Sequence, residues 1–210
     1  MLYQRIKNTF SSFAIILLLW ALTGCAETAP TTHYYFMESP SHSLYKQGKP
    51  TKYPALMLFK KVSSMSPYNT VNFAVKIRPS EVKFYNYAKW VSPPHELLYH
   101  YFLKSLTFSQ LIELAASSIG QKDVYHLEME IQEFGQKLEK NRPYAGISLF
   151  VGIRHARSKT YSWYTIYHHQ EPSQSEQPYH VVVALNKTVE TINQKLLKDL
   201  DTFFAAEYSK

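Results

Sequence analysis

The chain has 210 residues, of which 23 are Lys or Arg and 16 are Asp or Glu, and it contains a single cysteine. This length suits one domain with its own hydrophobic core, and one cysteine excludes a framework of intramolecular disulfides. The basic excess is mild and comes without zinc-ligand spacing, a Gly-rich RNA-binding signature or a basic helix, so nucleic-acid binding is not expected.

The first 24 residues have the plan of a secretory signal peptide. Arg5 and Lys7 precede an apolar run over residues 13–22, and small residues follow the run. A basic start, a short apolar run and a small-residue cleavage site are typical of export signals. The run is about ten residues long, roughly half of what a helix needs to cross a bilayer, so a permanent transmembrane helix is not expected.

The sequence Leu22-Thr23-Gly24-Cys25 resembles the bacterial lipobox, in which a diacylglyceryl group is attached to the cysteine and the leader is cut off just before it. Cys25 is therefore the predicted lipidation site. The alternative, a buried core cysteine, is disfavoured because nothing apolar follows Cys25 to bury it. By analogy with enterobacterial sorting, Ala26 at the next position favours the outer membrane.

Cleavage before Cys25 leaves 186 residues, which is 210 minus 24. Two of the 23 basic residues lie in the leader, so the remainder carries 21 basic and 16 acidic residues, a net charge of +5. In an exported chain, attraction to anionic lipid headgroups is the simplest account of this excess. Residues 25–32 are predicted to be a lipidated tether, and residues 33–210 are predicted to form one domain.

Period-two alternation and β-prone composition predict the strands along this domain. They cover residues 33–37, 55–62, 71–78, 82–87, 125–134, 145–153 and 160–168. The third and fourth are expected to form a hairpin, and the last three an antiparallel meander. Residues 39–54 contain three prolines and are predicted to be a loop, and residues 108–114 fit either a strand or continued helix.

Two segments have helical periodicity. Ser92 is a predicted N-cap, the prolines after it are tolerated in a first turn, and about fourteen residues with an apolar stripe follow. Residues 182–203 repeat apolar side chains every three or four positions and predict a long helix across the sheet. The predicted fold is α+β: a mixed, mainly antiparallel sheet covered by two amphipathic helices in a single two-layer domain.

The histidines do not have metal-ligand spacing. His95 and His100 lie about 140° apart around a helix, so they do not easily share one metal ion. His168 and His169 are adjacent on a predicted strand and point to opposite faces of the sheet. Neither a metal site nor a cofactor site is predicted.

No catalytic constellation stands out either. Glu128 and Glu130 share a strand face and could serve as a glycosidase pair, but alternate outward carboxylates also keep a half-exposed strand soluble. Ser148 follows Gly146 without the second glycine of a nucleophile elbow, and neither a P-loop nor a dinucleotide fingerprint occurs. The chain is predicted to be non-catalytic. An envelope hydrolase is the third interpretation, and a cleft with converging titratable groups would support it.

Three aromatic residues between the hairpin and the first helix offer a different kind of site. Tyr85, Tyr87 and Trp90 are hypothesised to form a rim that faces a protein partner or lipid. Most other aromatic residues are explained as strand and core residues.

Several short motifs follow the lipobox in a fixed order. They are Tyr34-Tyr35, Ile77-Arg78-Pro79, residues 82–90 (VKFYNYAKW) leading through Ser92-Pro93-Pro94 to Leu97 and Leu98, Glu133-Phe134, and the final amphipathic helix. Over about residues 25–205 they resemble the ABC-type transport auxiliary lipoprotein family, which includes the lipoprotein partner of the paraquat-inducible intermembrane transport system. The chain departs from common members where Ser66-Pro67-Tyr68-Asn69 replaces a Pro-x-Tyr-Leu segment, and in a longer loop from Gln170.

The resemblance implies a non-catalytic component of a lipid-trafficking machine. In such systems an ATP-driven permease of the inner membrane works with an MCE-domain protein, and the lipoprotein docks at the periplasmic face of the outer membrane. The expected partners are an MCE-domain protein and, through the lipid on Cys25, the membrane; phospholipid and further copies of the chain stay open. The alternative is an envelope lipoprotein that regulates a cell-wall synthase or pilots an outer-membrane complex.

Overall fold

The structure is a computed structural model in which residues 30–40, 50–115 and 123–209 are described. The chain divides into two units, Met1–Thr31 and Thr32–Lys210, and the fold below is that of the second unit. The predicted signal peptide and the lipidation site Cys25 lie outside the described residues, so both stay predictions.

The described residues form one nine-stranded sheet and two helices. The strands are β1 (His33–Tyr35), β2 (Leu56–Phe59), β3 (Ser63–Ser64), β4 (Asn72–Arg78), β5 (Glu81–Trp90), β6 (Glu113–Leu114), β7 (Val124–Glu139), β8 (Arg142–His155) and β9 (Trp163–Pro172). The helices are α1 (Pro94–Ser109) and α2 (Pro178–Tyr208). The predicted α+β fold is confirmed. No helix in these ranges combines the length and apolar character that crossing a membrane requires.

Strand β7 is the centre of the sheet. On one side it pairs antiparallel with β8, which pairs antiparallel with β9, so the predicted meander is confirmed. On its other side β7 pairs in parallel with β2, β3 and β4 in turn. Strand β4 forms the predicted antiparallel hairpin with β5, and β5 pairs in parallel with the edge strand β1. The longest registers are therefore antiparallel, and the parallel ones are short.

A bulge and a glycine adapt β7 to its two sets of neighbours. The register with β8 shifts between Ile131 and Glu133, which leaves Gln132 as an extra residue in β7. Gly135 has a φ of +135°, and a Cβ at this position would lie 2.5 Å from the carbonyl oxygen of Ala74 in β4. Only glycine permits this conformation together with so close an approach of two backbones.

Both helices contribute to one core on the same face of the sheet, which we call the inner face; the opposite side is the outer face. Fully buried core residues include Leu98, Phe102 and Leu106 of α1, Leu185, Ile192 and Leu196 of α2, and Leu127, Met129, Ile147 and Leu149 of the sheet. The predicted packing of a long C-terminal helix across the sheet is thereby confirmed.

Two local predictions around α1 are resolved by the structure. The N-cap prediction is wrong: Pro93, not Ser92, precedes the helix, and no side chain caps it. Prolines 93 and 94 have no backbone N–H, so fewer donors need a capping acceptor. The ambiguous segment 108–114 is helix up to Ser109 and strand β6 from Glu113.

Tyrosines from four different segments fasten α2 to the rest of the domain. Their hydroxyls donate to α2 carboxylates in the pairs Tyr53–Asp201 (2.6 Å), Tyr101–Glu190 (2.6 Å), Tyr125–Glu207 (3.4 Å) and Tyr167–Asp199 (2.7 Å). Burial, followed by the facing carboxylates, raises the pKa of Tyr101 and Tyr167 and raises the pKa of Tyr125 to about 12. These tyrosines therefore stay protonated donors.

Candidate functional site

The adjacent histidines point apart, as the strand alternation predicts. His168 is exposed on the outer face, whereas Nε2 of His169 lies 2.9 Å from Oε1 of Glu171. In residues 30–40, 50–115 and 123–209, no group of three or more His, Cys, Asp or Glu side chains is arranged to hold a metal ion.

Glu128 belongs to an ionic network on the outer face. Its carboxylate lies 2.7 Å from Nζ of Lys60 and 3.0 Å from Arg154, and it accepts a 2.8 Å hydrogen bond from the hydroxyl of Tyr161. Burial alone would raise the pKa of Glu128, but the hydrogen bonds from these three residues outweigh burial and lower the pKa to about 2. A carboxyl that stays ionised cannot supply the proton that a glycosidase acid donates. Glu128 therefore cannot be the acid of a Glu128–Glu130 glycosidase pair at neutral pH.

The environment of His126 differs from the one that the sequence predicts. The alternation of β7 predicts that it faces water, yet it is buried, and neither ring nitrogen has a hydrogen-bond partner. Burial, then the charges of Arg154 and Lys60, lower the pKa of His126, so the ring is neutral at pH 7. The two neighbouring cations disfavour a metal ion at this ring.

The hypothesised aromatic rim is wrong for two of its three members. Trp90 is 1% exposed and stacks on Phe73 with ring centroids 4.6 Å apart. The Tyr85 hydroxyl donates to the side chain of Gln136 and to a backbone carbonyl of the loop before α2. Only Tyr87, at 49%, is widely exposed. The register of β4 and β5 shifts between Asn72 and Ala74, so simple alternation misassigns the face of Tyr85 relative to Tyr87.

A cluster of exposed side chains lies on the outer face where β8 meets β9. We call Phe150, Tyr161, Tyr164 and Ile166 the outer aromatic cluster. Tyr164 and Ile166 are each more than half exposed. The ring centroid of Phe150 lies 5.5 Å from that of Tyr161 and 6.3 Å from that of Tyr164, which are spacings typical of interacting aromatic rings.

Gly152 makes room for the outer aromatic cluster. A Cβ at this position would lie 2.6 Å from the ring of Tyr161, so that ring covers the backbone of β8 where a side chain is missing. Glu128 is the cross-strand partner of Gly152 and accepts the hydrogen bond from Tyr161. The ring and the hydroxyl of Tyr161 are thus both held in place. Binding of a partner would therefore cost less side-chain conformational entropy. A glycine inside an apolar strand was the sequence signal for this feature.

Strand β9 presents an unpaired edge beside this cluster. Within the described residues, its ten residues pair only with β8. It contains no lysine, and its one proline is the last residue, so it lacks two devices that usually protect a sheet edge. Such an edge suits the addition of a strand from another chain, in which backbone hydrogen bonds give affinity and side chains give specificity.

A groove of about 750 Å³ lies among α1, α2, β9 and the segment after β1. Its lining includes the carboxylates of Glu38, Glu171 and Glu190. Glu171 contacts a histidine, and Glu190 accepts the hydrogen bond from Tyr101, so two of these carboxylates are engaged in structural contacts.

No family model matches the chain, and no curated protein matches its sequence. Its fold matches that of several solved structures. Protein XCC0632 from Xanthomonas campestris, of the family DUF330, superposes with a TM-score of 0.68 at 18% identity and covers 85% of this chain and 99% of its own. An uncharacterised protein gives 0.64 at 13% identity, with coverages of 81% and 99%. Protein CT253 from Chlamydia trachomatis gives 0.52 at 10% identity, with coverages of 72% and 98%. The chain thus has the fold of a DUF330 protein.

Proposed function

We propose that the chain is a non-catalytic, lipid-anchored envelope protein that docks an ABC/MCE-type lipid transport system at the outer membrane by binding its MCE-domain protein. The observation that carries the proposal is the unpaired edge of β9 beside the outer aromatic cluster. The lipobox at Cys25 supports the anchor, and the resemblance to the auxiliary lipoprotein family supports the choice of partner. The fold shared with a DUF330 protein agrees with this resemblance.

The chemistry of the docking surface fits a protein partner better than a small substrate. A strand added along β9 would satisfy backbone donors and acceptors at the edge of the sheet. Tyr164 and Ile166 on the outer face would supply apolar contact area, and tyrosine is among the residues that dominate binding energy at interfaces. Because Glu128 holds Tyr161 in place, the surface is ordered before the partner arrives.

The proposal is tested by measuring the affinity of the lipidated protein for the MCE-domain protein. Tyr164→Asp is expected to weaken binding by about tenfold or more, the loss typical of an interface hot spot. Tyr179→Asp is the matched control, because Tyr179 is 62% exposed on α2 and Tyr164 is 67% exposed on β9. Equal affinities of both variants and the wild type would contradict docking at this surface.

Two further readouts separate the parts of the proposal. An intact mass with an unmodified N-terminus or a free thiol would contradict lipidation of Cys25. Recovery of a cell-wall synthase or a secretin in place of the MCE-domain protein would favour the alternative function, an envelope lipoprotein that regulates or pilots another complex.

A further inference from the structure

We propose that a second exposed surface, at the opposite edge of the sheet, lies against the anionic surface of the bilayer that holds the lipid on Cys25. This surface consists of Tyr34, Phe36, Tyr87, Lys89 and Val91, and we call it the β1 edge patch. The inference rests on the proposed lipidation of Cys25, and it adds a direct contact between the folded domain and the membrane.

The pairing of β1 with β5 assembles the β1 edge patch. Tyr34 is the register partner of Lys89, so their side chains share a face. Their chain neighbours Tyr35 and Trp90, also register partners, point into the core. Because side chains alternate along a strand, Tyr34 and Lys89 face outward.

The other members of the patch follow from the same alternation. Tyr87 and Val91 lie two residues on either side of Lys89 in β5 and its extension, and Phe36 lies two residues after Tyr34. Tyr34, Phe36, Tyr87 and Val91 are each roughly half exposed or more. The fold therefore leaves four large apolar or aromatic side chains around one lysine without protein cover in the described part of the chain.

This composition matches a membrane interface. Tyrosine rings settle at the level of the lipid headgroups, and phenylalanine and valine side chains gain free energy on leaving water. A lysine close to an anionic membrane gains about 1 kcal/mol. None of the five residues is acidic, and the chain after the predicted cleavage site carries the net charge of +5 that such a membrane attracts.

The short length of chain between the anchor and β1 favours this patch over the other exposed surfaces. Seven residues lie between Cys25 and His33, and the eight Cα–Cα steps that join the two residues span at most about 28 Å when fully extended. A compact domain of about 180 residues is about 40 Å across. An anchor shorter than the domain keeps β1 near the membrane, whereas it brings the side remote from β1 to the membrane only when almost fully extended.

The outer aromatic cluster lies at the edge of the sheet opposite the β1 edge patch. The sheet runs β1, β5, β4, β7, β8, β9, so five strand spacings separate β1 from β9, which is about 24 Å before strand offsets are added. Adjacent strands also twist by about 20–25°, so the two edges face different directions. The β1 edge patch can therefore rest on lipid while β9 stays open to a protein.

The experiment uses introduced cysteines in the lipidated protein. Cys25 is the only cysteine of the chain, so acylation leaves no thiol, and one new cysteine takes one label. Tyr34→Cys and Tyr87→Cys are labelled with an environment-sensitive fluorophore and reconstituted in vesicles of phosphatidylethanolamine and phosphatidylglycerol. Tyr179→Cys, at an equally exposed site on α2, is the control.

We expect labels at positions 34 and 87 to emit at shorter wavelength and to be quenched at least about twofold more by nitroxide-labelled lipid than a label at position 179. Equal quenching at all three positions would overturn the inference. So would protection of positions 34 and 87 that requires added MCE-domain protein, because the patch would then bind protein.

A charge variant tests the anionic part of the inference. In the Tyr34→Cys background, Lys89→Glu should lower the quenching in vesicles that contain phosphatidylglycerol, and Lys195→Glu on α2, with the same change of net charge, should not. Equal effects of both variants would overturn recognition by the patch. If the wild-type protein itself takes up the label, Cys25 has a free thiol and the proposed anchor fails, an outcome distinct from a lipidated protein whose patch stays in water.

Discussion

The side chains on the two faces of the sheet have different roles. The inner face is closed by α1 and α2, and side chains such as Leu127, Ile147 and Leu149 are fully buried there. The outer face holds the network around Glu128, the outer aromatic cluster and the β1 edge patch, with large side chains left in water. Because the inner face already buries the apolar surface that folding needs, the outer side chains can serve binding at little cost in stability.

Trp90 and Tyr87 give the sharpest test of this division, because they lie on the same strand and face opposite ways. Trp90→Ala removes a buried ring that stacks on Phe73 and is expected to lower the free energy of unfolding by about 3–5 kcal/mol. Tyr87→Ala removes an exposed ring and should cost less than about 1 kcal/mol. Urea unfolding followed by circular dichroism measures both. Comparable losses would mean that the outer face also carries the fold.

A second test compares two glycines that are cross-strand partners, Gly135 and Gly146. Gly135→Ala would strain a φ of +135° and press a Cβ against the Ala74 carbonyl, so we expect a loss of about 2–4 kcal/mol. Gly146→Ala would place its Cβ 3.9 Å from the nearest side-chain atom, that of Gln170, and should change stability by less than about 1 kcal/mol. Thermal melts of the two variants measure both changes in stability. A tolerated alanine at position 135 would contradict the close approach of the Ala74 carbonyl in β4 to Gly135 in β7.

A third test concerns Glu128 on the outer face, where the expected effect is smaller than at Trp90 or Gly135. Its pKa of about 2 lies below the ordinary value of 4.5, so between these values the unfolded chain binds more protons than the folded one. The stabilisation by ionised Glu128 is therefore complete above about pH 5 and is lost as the pH falls through about 2. Glu128→Gln should cost about 1 kcal/mol near pH 7, since the network is partly exposed, and progressively less at lower pH.

Urea titrations of the wild type and Glu128→Gln at about pH 7, 4 and 2.5 measure this convergence. Glu130→Gln is the control on the same strand, because Glu130 makes none of the hydrogen bonds of the Glu128 network. A difference between wild type and Glu128→Gln that stays constant with pH would show that the network does not stabilise the fold through its charge.

Alternation and helical periodicity were enough to predict most of the secondary structure and the meander of β7, β8 and β9. These patterns are local, so they survive without knowledge of the partner strand. The parallel pairing of β7 with β2, β3 and β4 was not predictable in the same way, because it joins segments far apart in sequence through a bulge at Gln132 and a close approach at Gly135. The outer aromatic cluster and the open edge of β9 depend even more on pairings between strands.

The sequence by itself was enough to predict the class of the fold and a lipid anchor at Cys25, and it contains no recognisable catalytic motif. Each of these depends on residues close together in the chain. Only the tertiary structure decided which aromatic side chains are available for binding. A shift of register reverses the face of every residue beyond it, so Tyr85 packs against the core while Tyr87 lies in water. It also decided that β9 is the long open edge of the described sheet, because an edge is defined by a missing neighbour and not by the residues of the strand.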